Sequence, residues 1–236
     1  PPDTVGLRRS MLAGLALLSL ASAPGGGVGA WVDDPARAFA CLLALRALEG
    51  VGFLLAVMPG PGLIRAIAPA GADKAAIGLW GAYMPLGVAL ALLAGPWLIA
   101  GAGWPGWWLA LAATSAAAAL WVLLAVPADR ARRSPEAAPP VEGWSTRLRD
   151  TLSAGGPWTL ALAFAVYASQ WIAVIGFLPA IYVDAGIPGG WTAALTAFAA
   201  ALNIIGNVVG GRVLQRGVAP VGLLRCGCGV VGRASG

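Results

Sequence analysis

Residues 38–58 read AFACLLALRALEGVGFLLAVM, an apolar run in which the only charged side chains are Arg46 and Glu49. A helix needs about 20 predominantly apolar residues to cross the roughly 30 Å hydrocarbon core of a bilayer. This run meets that length, so it predicts a membrane-spanning helix. A charge in such a helix is costly, which makes its two charged residues the first functional candidates.

The composition of the whole chain agrees with a membrane protein. Of its 236 residues, 59% are apolar and 11% are charged, whereas an ordinary soluble domain has about 25% charged residues. This composition excludes a disordered chain and argues against a soluble enzyme. The net charge of +5 does not indicate nucleic-acid binding, because the basic residues lie between apolar segments rather than on one polar face.

Five further segments have the length and apolarity of a span. The predicted fold class is therefore an all-α integral membrane protein with about six transmembrane helices. The predicted spans are residues 10–30, 38–58, 75–100, 104–126, 157–180 and 191–211. Pro24 and the three glycines after it are expected to weaken the outer end of the first span. A partial further segment begins near Val218, but it contains Arg225.

The distribution of Lys and Arg predicts the orientation of the chain. One alternating set of connections holds eleven Lys or Arg residues, and the other set holds Arg37 alone. The first set comprises residues 1–9, 60–75, 127–156 and 212–217, and the second comprises residues 31–37, 101–106 and 181–190. Because basic loops stay in the cytoplasm, the first set is predicted to be cytoplasmic. We expect a multi-pass protein of the inner, or plasma, membrane.

The longest connection, residues 127–156, contains five Arg, several Pro and an amphipathic stretch from Trp144 to Leu152. We interpret it as a cytoplasmic basic linker between two helical bundles, although an ordinary long loop would look much the same. Residues 1–126 then hold four membrane helices. Residues 157–236 hold two membrane helices and part of a third.

Arg46 and Glu49 are spaced i, i+3 and therefore lie on nearby parts of one helical face. They predict either a substrate-charge or proton-coupling site, or a structural ion pair that locks helices together. Gly50 and Gly52 follow directly. Small residues allow helices to approach closely, so both glycines are predicted to serve packing.

Other polar residues within the spans are further candidates for a solute cavity. Tyr83, Tyr167, Gln170 and Asn203 are predicted to line it. A buried amide needs a hydrogen-bond partner, which either a solute or a neighbouring helix can supply. Tyr83 is equally consistent with an anchor at the membrane interface. Asn203 and Asn207, one turn apart, are consistent with polar contacts between helices, and Gly206 and Gly210 are predicted to pack.

The chain lacks the motifs of common enzyme classes. It has no nucleophile elbow, P-loop or HExxH sequence, and it has no histidine. We therefore expect no enzymatic activity, no metal and no cofactor.

Several motifs resemble those of the major facilitator superfamily. Asp3, Gly6, Arg8 and Arg9 resemble the end of its cytoplasmic loop motif, and Arg46-x-x-x-Gly50-x-Gly52 is similar to its fourth-helix motif. Parts of its fifth-helix motif and of the second copy of its loop motif are also present. Their residues are Gly87, Gly95 and Pro96 for the former, and Gly211, Arg212 and Arg216 for the latter. In the second loop copy, Gln215 replaces the usual acidic residue, which is expected to weaken that contact.

The resemblance implies a twelve-helix fold in which two halves rock around a central site. This chain would supply the third to eighth helices of that fold, as a truncated fragment. The implied function is secondary active, proton-coupled or facilitative transport of a small solute, with an anion and protons as candidates. The full-length protein would be monomeric in the lipid bilayer. The loops faintly resemble the cyanate or nitroimidazole transporter-like group. The alternative is a non-functional truncated protein or a membrane scaffold.

Overall fold

The computed structural model describes residues 6–69, 71–129 and 143–219, together with residue 222. All regular structure within these residues is helical, and no strand occurs among them, which confirms the predicted all-α class. The helices are α1 (Leu7–Gly25), α2 (Val28–Trp31), α3 (Pro35–Val57), α4 (Gly60–Ile67), α5 (Asp73–Trp80), α6 (Tyr83–Ala125), α7 (Trp144–Ser153), α8 (Gly155–Asp184) and α9 (Gly189–Gln215).

Four helical stretches are long and apolar enough to cross a membrane within the described residues. They are Pro35–Ile67, Asp73–Ala125, Gly155–Asp184 and Gly189–Gln215. The second of these has 53 residues, a length of about 80 Å if it were straight. Gly103 interrupts it with a non-helical conformation (φ 67°, ψ −175°), so α6 consists of two arms. The span predicted at residues 75–100 corresponds to α5 together with the first arm of α6, and the span predicted at residues 104–126 corresponds to the second arm.

The first predicted span corresponds to α1, which has 19 residues and includes Arg8 and Arg9 in its first turn. This helix ends at Gly25 rather than at residue 30, and a short turn separates it from α2. The chain therefore breaks where Pro24 and the glycines after it were predicted to weaken the helix. The partial segment from Val218, and residues 130–142 of the linker, fall largely outside the described residues.

The start of α3 shows how local sequence positions the charged span. The Asp34 carboxylate accepts a hydrogen bond from the backbone N–H of Arg37 at 2.9 Å, and Pro35 occupies the first helical position. An acidic N-cap followed by proline is a strong signal for a helix start. These residues determine where α3 begins.

Helix α1 packs against both α3 and α6. At the crossing of α1 and α3, a Cβ atom at Gly14 would lie 2.4 Å from the backbone nitrogen of Ala56. A Cβ at Gly52 would lie 3.0 Å from the carbonyl oxygen of Gly14. The two backbones therefore approach as closely as glycine allows.

Helix α9 connects the later part of the chain to the earlier part, since it packs against α5, α6 and α8. At its contact with α5, a Cβ on Gly78 would lie 2.6 Å from the Cα of Gly211. Small side chains continue this contact along α6, where Ala89, Ala197 and Ala200 form a buried cluster. The two predicted halves of the protein meet along α9.

Candidate functional site

Glu49 is the central residue of a buried polar cluster between α1 and α3. Its Oε1 atom accepts a hydrogen bond from the Ser22 hydroxyl at 2.6 Å. Its Oε2 atom forms an ion pair with Nη1 of Arg46 at 2.7 Å. The residue is only 8% exposed. Both carboxylate oxygens thus have a partner, which offsets the cost of removing the charge from water.

Arg46 differs from its partner because 52% of its side chain is exposed. Its Cζ atom lies 4.2 Å from the centre of the Trp108 ring, in cation–π geometry. Trp108 is 2% exposed and packs on Gly25, where a Cβ would lie 2.1 Å from the ring. The guanidinium is therefore held in place by a carboxylate and an aromatic face. A planar guanidinium with donors to spare suits an anionic ligand.

A largely apolar pocket of about 390 Å³ lies near this pair, although neither Arg46 nor Trp108 lines it. Leu42 and Trp104 line it, and they lie one helical turn from Arg46 and Trp108 on the same helix faces. The remaining lining residues are Gly25, Gly26, Val28, Gly29, Ala30, Ala38 and Pro105.

A second polar cluster joins α8 and α9. The Asn203 side-chain amide donates to the Tyr167 hydroxyl at 3.2 Å, and the Asn207 amide donates to the Asn203 side-chain oxygen at 2.9 Å. The structure therefore brings together two of the predicted cavity residues, Tyr167 and Asn203. Gln170 lies exposed on α8, and no hydrogen bond of its side chain is seen among the described residues.

Tyr83 lies in an aromatic group rather than in either polar cluster. Its ring centre lies 5.1 Å from that of Trp80 and 6.5 Å from that of Phe53. Tyr83 thus links α3 to the start of α6, and 36% of it is exposed.

The first loop motif meets the end of α6. Asp129 accepts hydrogen bonds from the backbone N–H groups of Arg8 at 3.0 Å and Arg9 at 3.1 Å. The Arg8 side chain donates to the carbonyl oxygen of Leu123 at 2.6 Å. Gly6 adopts a positive φ of 103°, and a Cβ there would collide with the Asp129 side chain. A carboxylate thus caps the N-terminus of α1. Asp3, also predicted in this motif, lies outside the described residues.

The second loop motif connects α9 to α5. The Gln215 side-chain oxygen accepts from the backbone N–H of Ala75 at 3.2 Å, and its amide donates to the carbonyl oxygen of Gly71. The amide therefore makes two hydrogen bonds where a weakened contact was expected. Of the other residues predicted in this motif, Gly211 contacts Gly78, whereas Arg212 and Arg216 are exposed.

The order of these features along the chain corresponds to a known family. The family model of the Major Facilitator Superfamily matches residues 3–234. The chain belongs to the Major Facilitator Superfamily. No curated protein and no solved structure matches the chain. Membership shows that this is a multi-pass α-helical membrane protein of a transporter family. Its partners are therefore the lipid bilayer and a small solute.

Only some of the glycines predicted to pack lie at close contacts in this superfamily member. Gly52 lies at such a contact, because it faces Gly14. At Gly95, which precedes Pro96, a Cβ would make an ordinary contact of 3.6 Å with the Trp107 ring. A Cβ at Gly50, Gly87, Gly206 or Gly210 would meet no atom within 4 Å. A side chain at these four positions would therefore have room among the described residues, and their packing role stays a prediction.

The sequence did not predict several residues that contact the candidate residues in the folded protein. Ser22, Trp108 and Asp129 each contact a predicted residue from a distant part of the chain. Serines and tryptophans are frequent in membrane helices, so nothing in their local pattern marks these as partners. Only Asp129 could have been suspected as a partner of the arginines, since it is an acidic residue in a basic connection. Within the described residues no group of acidic or cysteine side chains suits a metal ion.

Proposed function

We propose that this protein is a secondary active or facilitative transporter of a small solute, with Arg46 and Glu49 as its electrostatic centre. The observation that carries the proposal is a half-exposed guanidinium beside a buried carboxylate within an apolar span. A charge at the centre of a membrane helix costs about 2.5–3.5 kcal/mol on insertion scales, and such residues usually serve substrate or ion pathways.

The arrangement supports a small anion as the solute. Arg46 uses Nη1 on Glu49, and the described residues supply no other acceptor for its side chain. Its remaining N–H donors are available to a carboxylate-like or linear anion. The resemblance to cyanate transporters agrees with this choice of solute.

The same geometry supports protons as the coupling ion. When Glu49 is ionised, it holds Arg46 by charge. Protonation removes that charge and leaves the guanidinium to pair with an incoming anion. One anion bound together with one proton leaves the cluster as neutral as the empty Arg46–Glu49 ion pair, so neither the empty nor the loaded state holds an unpaired charge in the membrane.

Alternating access supplies the remaining part of the proposal. The two halves would rock about the contact of α9 with α5 and α6, and the ends of α1 and α9 would form a cytoplasmic gate. Tyr167 and Asn203 would present polar groups from the second half. The competing interpretation is a structural ion pair, in which Arg46 and Glu49 only lock α3 to α1 and α6.

Uptake into proteoliposomes tests the proposal. Vesicles that contain the full chain are given labelled cyanate outside, with and without an inward proton gradient. We expect uptake that rises with the gradient and is lost in Arg46→Met and in Glu49→Gln. The matched control is Arg37→Met, which removes an exposed arginine of the same helix that lies 3.9 Å from Asp34. This variant should transport normally.

The double variant Arg46→Met with Glu49→Gln decides between the two interpretations, because it removes both charges and leaves no unpaired one. A transport site predicts that the double variant stays inactive although it folds. A structural lock predicts that it recovers uptake. Absence of uptake in the unmodified protein, for cyanate and for a panel of small carboxylates, would contradict the anion proposal and favour the scaffold alternative.

A further inference from the structure

We propose that α7 lies on the membrane surface, with its apolar face in the boundary between phospholipid headgroups and acyl chains. This helix, Trp144–Ser153, belongs to the linker between the two halves. With ten residues it is far too short to cross a bilayer. The inference concerns the lipid contact of the linker and does not depend on which solute the protein moves.

The residues of α7 divide into two faces at 100° per residue. Leu148, Thr151 and Leu152 fall on one side, and Thr146, Arg149 and Ser153 fall on the other. Leu148 is 48% exposed and Leu152 is 52% exposed. Within the described chain, therefore, about half of each leucine side chain on the apolar side remains uncovered. An amphipathic helix of this kind is typical of binding in the plane of the membrane interface.

The connection to α8 places α7 at the level of the bilayer surface. Helix α8 begins at Gly155 and is one of the stretches apolar enough to span. Only Ala154 separates the two helices, and its backbone is extended (φ −86°, ψ 132°). The helix axis therefore breaks at the end of the span, so α7 does not continue α8 outwards into water.

Trp158 stabilises this corner. Its indole Nε1–H donates to the carbonyl oxygen of Leu152 at 2.8 Å, which satisfies one of the free carbonyl groups at the end of α7. Tryptophan is enriched at the membrane–water interface, where its ring is apolar and its N–H is polar. This contact ties α7 to the first turn of the span.

Charge also favours a phospholipid surface as the partner. Arg149 lies at one edge of the polar side, where its long aliphatic stem can lie along the lipid boundary while its guanidinium contacts a headgroup phosphate. The sequence of α7 contains two Arg and one Asp. Its small net positive charge complements the phosphate layer.

Site-directed spin labelling of the full chain in phosphatidylcholine–phosphatidylglycerol vesicles tests this placement. Cys41, Cys226 and Cys228 are first replaced by alanine. Single cysteines are then introduced as Leu148→Cys and Leu152→Cys on the apolar side, with Thr146→Cys and Ser153→Cys as matched controls on the polar side. Each is labelled with a nitroxide. The collision rates with oxygen, which concentrates in lipid, and with a water-soluble nickel chelate are measured.

We expect the ratio of oxygen to nickel collisions to be several-fold higher at positions 148 and 152 than at positions 146 and 153. Low ratios at all four positions would place α7 in water and overturn the proposal. High ratios at all four would place it inside the hydrocarbon and overturn it equally. All four sites lie on one exposed helix, and circular dichroism with size-exclusion chromatography verifies that each variant keeps its helicity and remains monodisperse.

Discussion

At the residue scale, the hydroxyl of Ser22 makes a buried carboxylate tolerable. It donates to Glu49 from a neighbouring helix, and both residues are buried. A hydrogen bond to a charged group contributes about 1.5–3 kcal/mol. We therefore expect Ser22→Ala to lower the free energy of unfolding by about this amount, and we expect thermal unfolding in detergent to show a lower midpoint.

Ser19 provides a matched control, since it lies on the same helix and also donates across to another element. Its acceptor is the uncharged carbonyl oxygen of Ala112, at 2.9 Å. A neutral hydrogen bond contributes about 0.5–1.5 kcal/mol, so Ser19→Ala should shift the midpoint less. Equal unfolding temperatures of the two variants would contradict a hydrogen bond from Ser22 that is stronger than the neutral one from Ser19.

At the scale of elements, the crossing of α1 and α3 depends on Gly14. A methyl group there would lie 2.4 Å from a backbone nitrogen, which forces the helices apart. Overpacking of this kind typically costs about 1–3 kcal/mol. We expect Gly14→Ala to destabilise the protein, and also to weaken the Ser22–Glu49 contact formed by the same two helices. The midpoint of thermal unfolding measures the first effect.

Gly50 is the control for this prediction, because it lies on α3 but has no neighbour within 4 Å of its Cβ position. Alanine is favoured over glycine in a helix by about 1 kcal/mol, so Gly50→Ala should be neutral or stabilising. A destabilising Gly50→Ala would contradict the open surroundings of this glycine. A neutral Gly14→Ala would contradict the close crossing.

At the scale of the whole molecule, Gln215 joins the two halves on the predicted cytoplasmic side. It bonds to Gly71, in the turn before α5, and to Ala75, in the first turn of α5. We expect Gln215→Ala to shift the population towards a state in which the two helix ends are separated. Spin labels at Arg65→Cys and Arg216→Cys, both at exposed sites, report this as a broader or longer distance distribution in pulsed electron resonance.

Gln215→Glu refines the same prediction, since a carboxylate still accepts from Ala75 but no longer donates to Gly71. Its distance distribution should fall between those of the unmodified protein and Gln215→Ala. Arg212→Ala is the control, because this side chain is exposed one turn earlier on the same helix. Unchanged distances in Gln215→Ala would show that the glycine contact of Gly78 and Gly211 holds the halves together without the amide.

The sequence by itself determined the class of the protein and the approximate limits of its helices. Long apolar runs must be helical in a bilayer, because every backbone polar group needs an internal partner. The interruption after Pro24 and the pairing of Arg46 with Glu49 were also predictable, since both depend on residues close together in the chain.

Only the tertiary structure decided which helices meet and through which residues. Ser22, Trp108 and Asp129 contact predicted residues that lie far away along the chain, namely Glu49, Arg46 and Arg8. Glycines that look alike in sequence separate into those at a crossing, such as Gly14, and those facing open space, such as Gly50. In an apolar helix every face has a similar hydropathy, so local pattern cannot show which face packs. That choice follows from the shapes of surfaces that meet only in the folded chain.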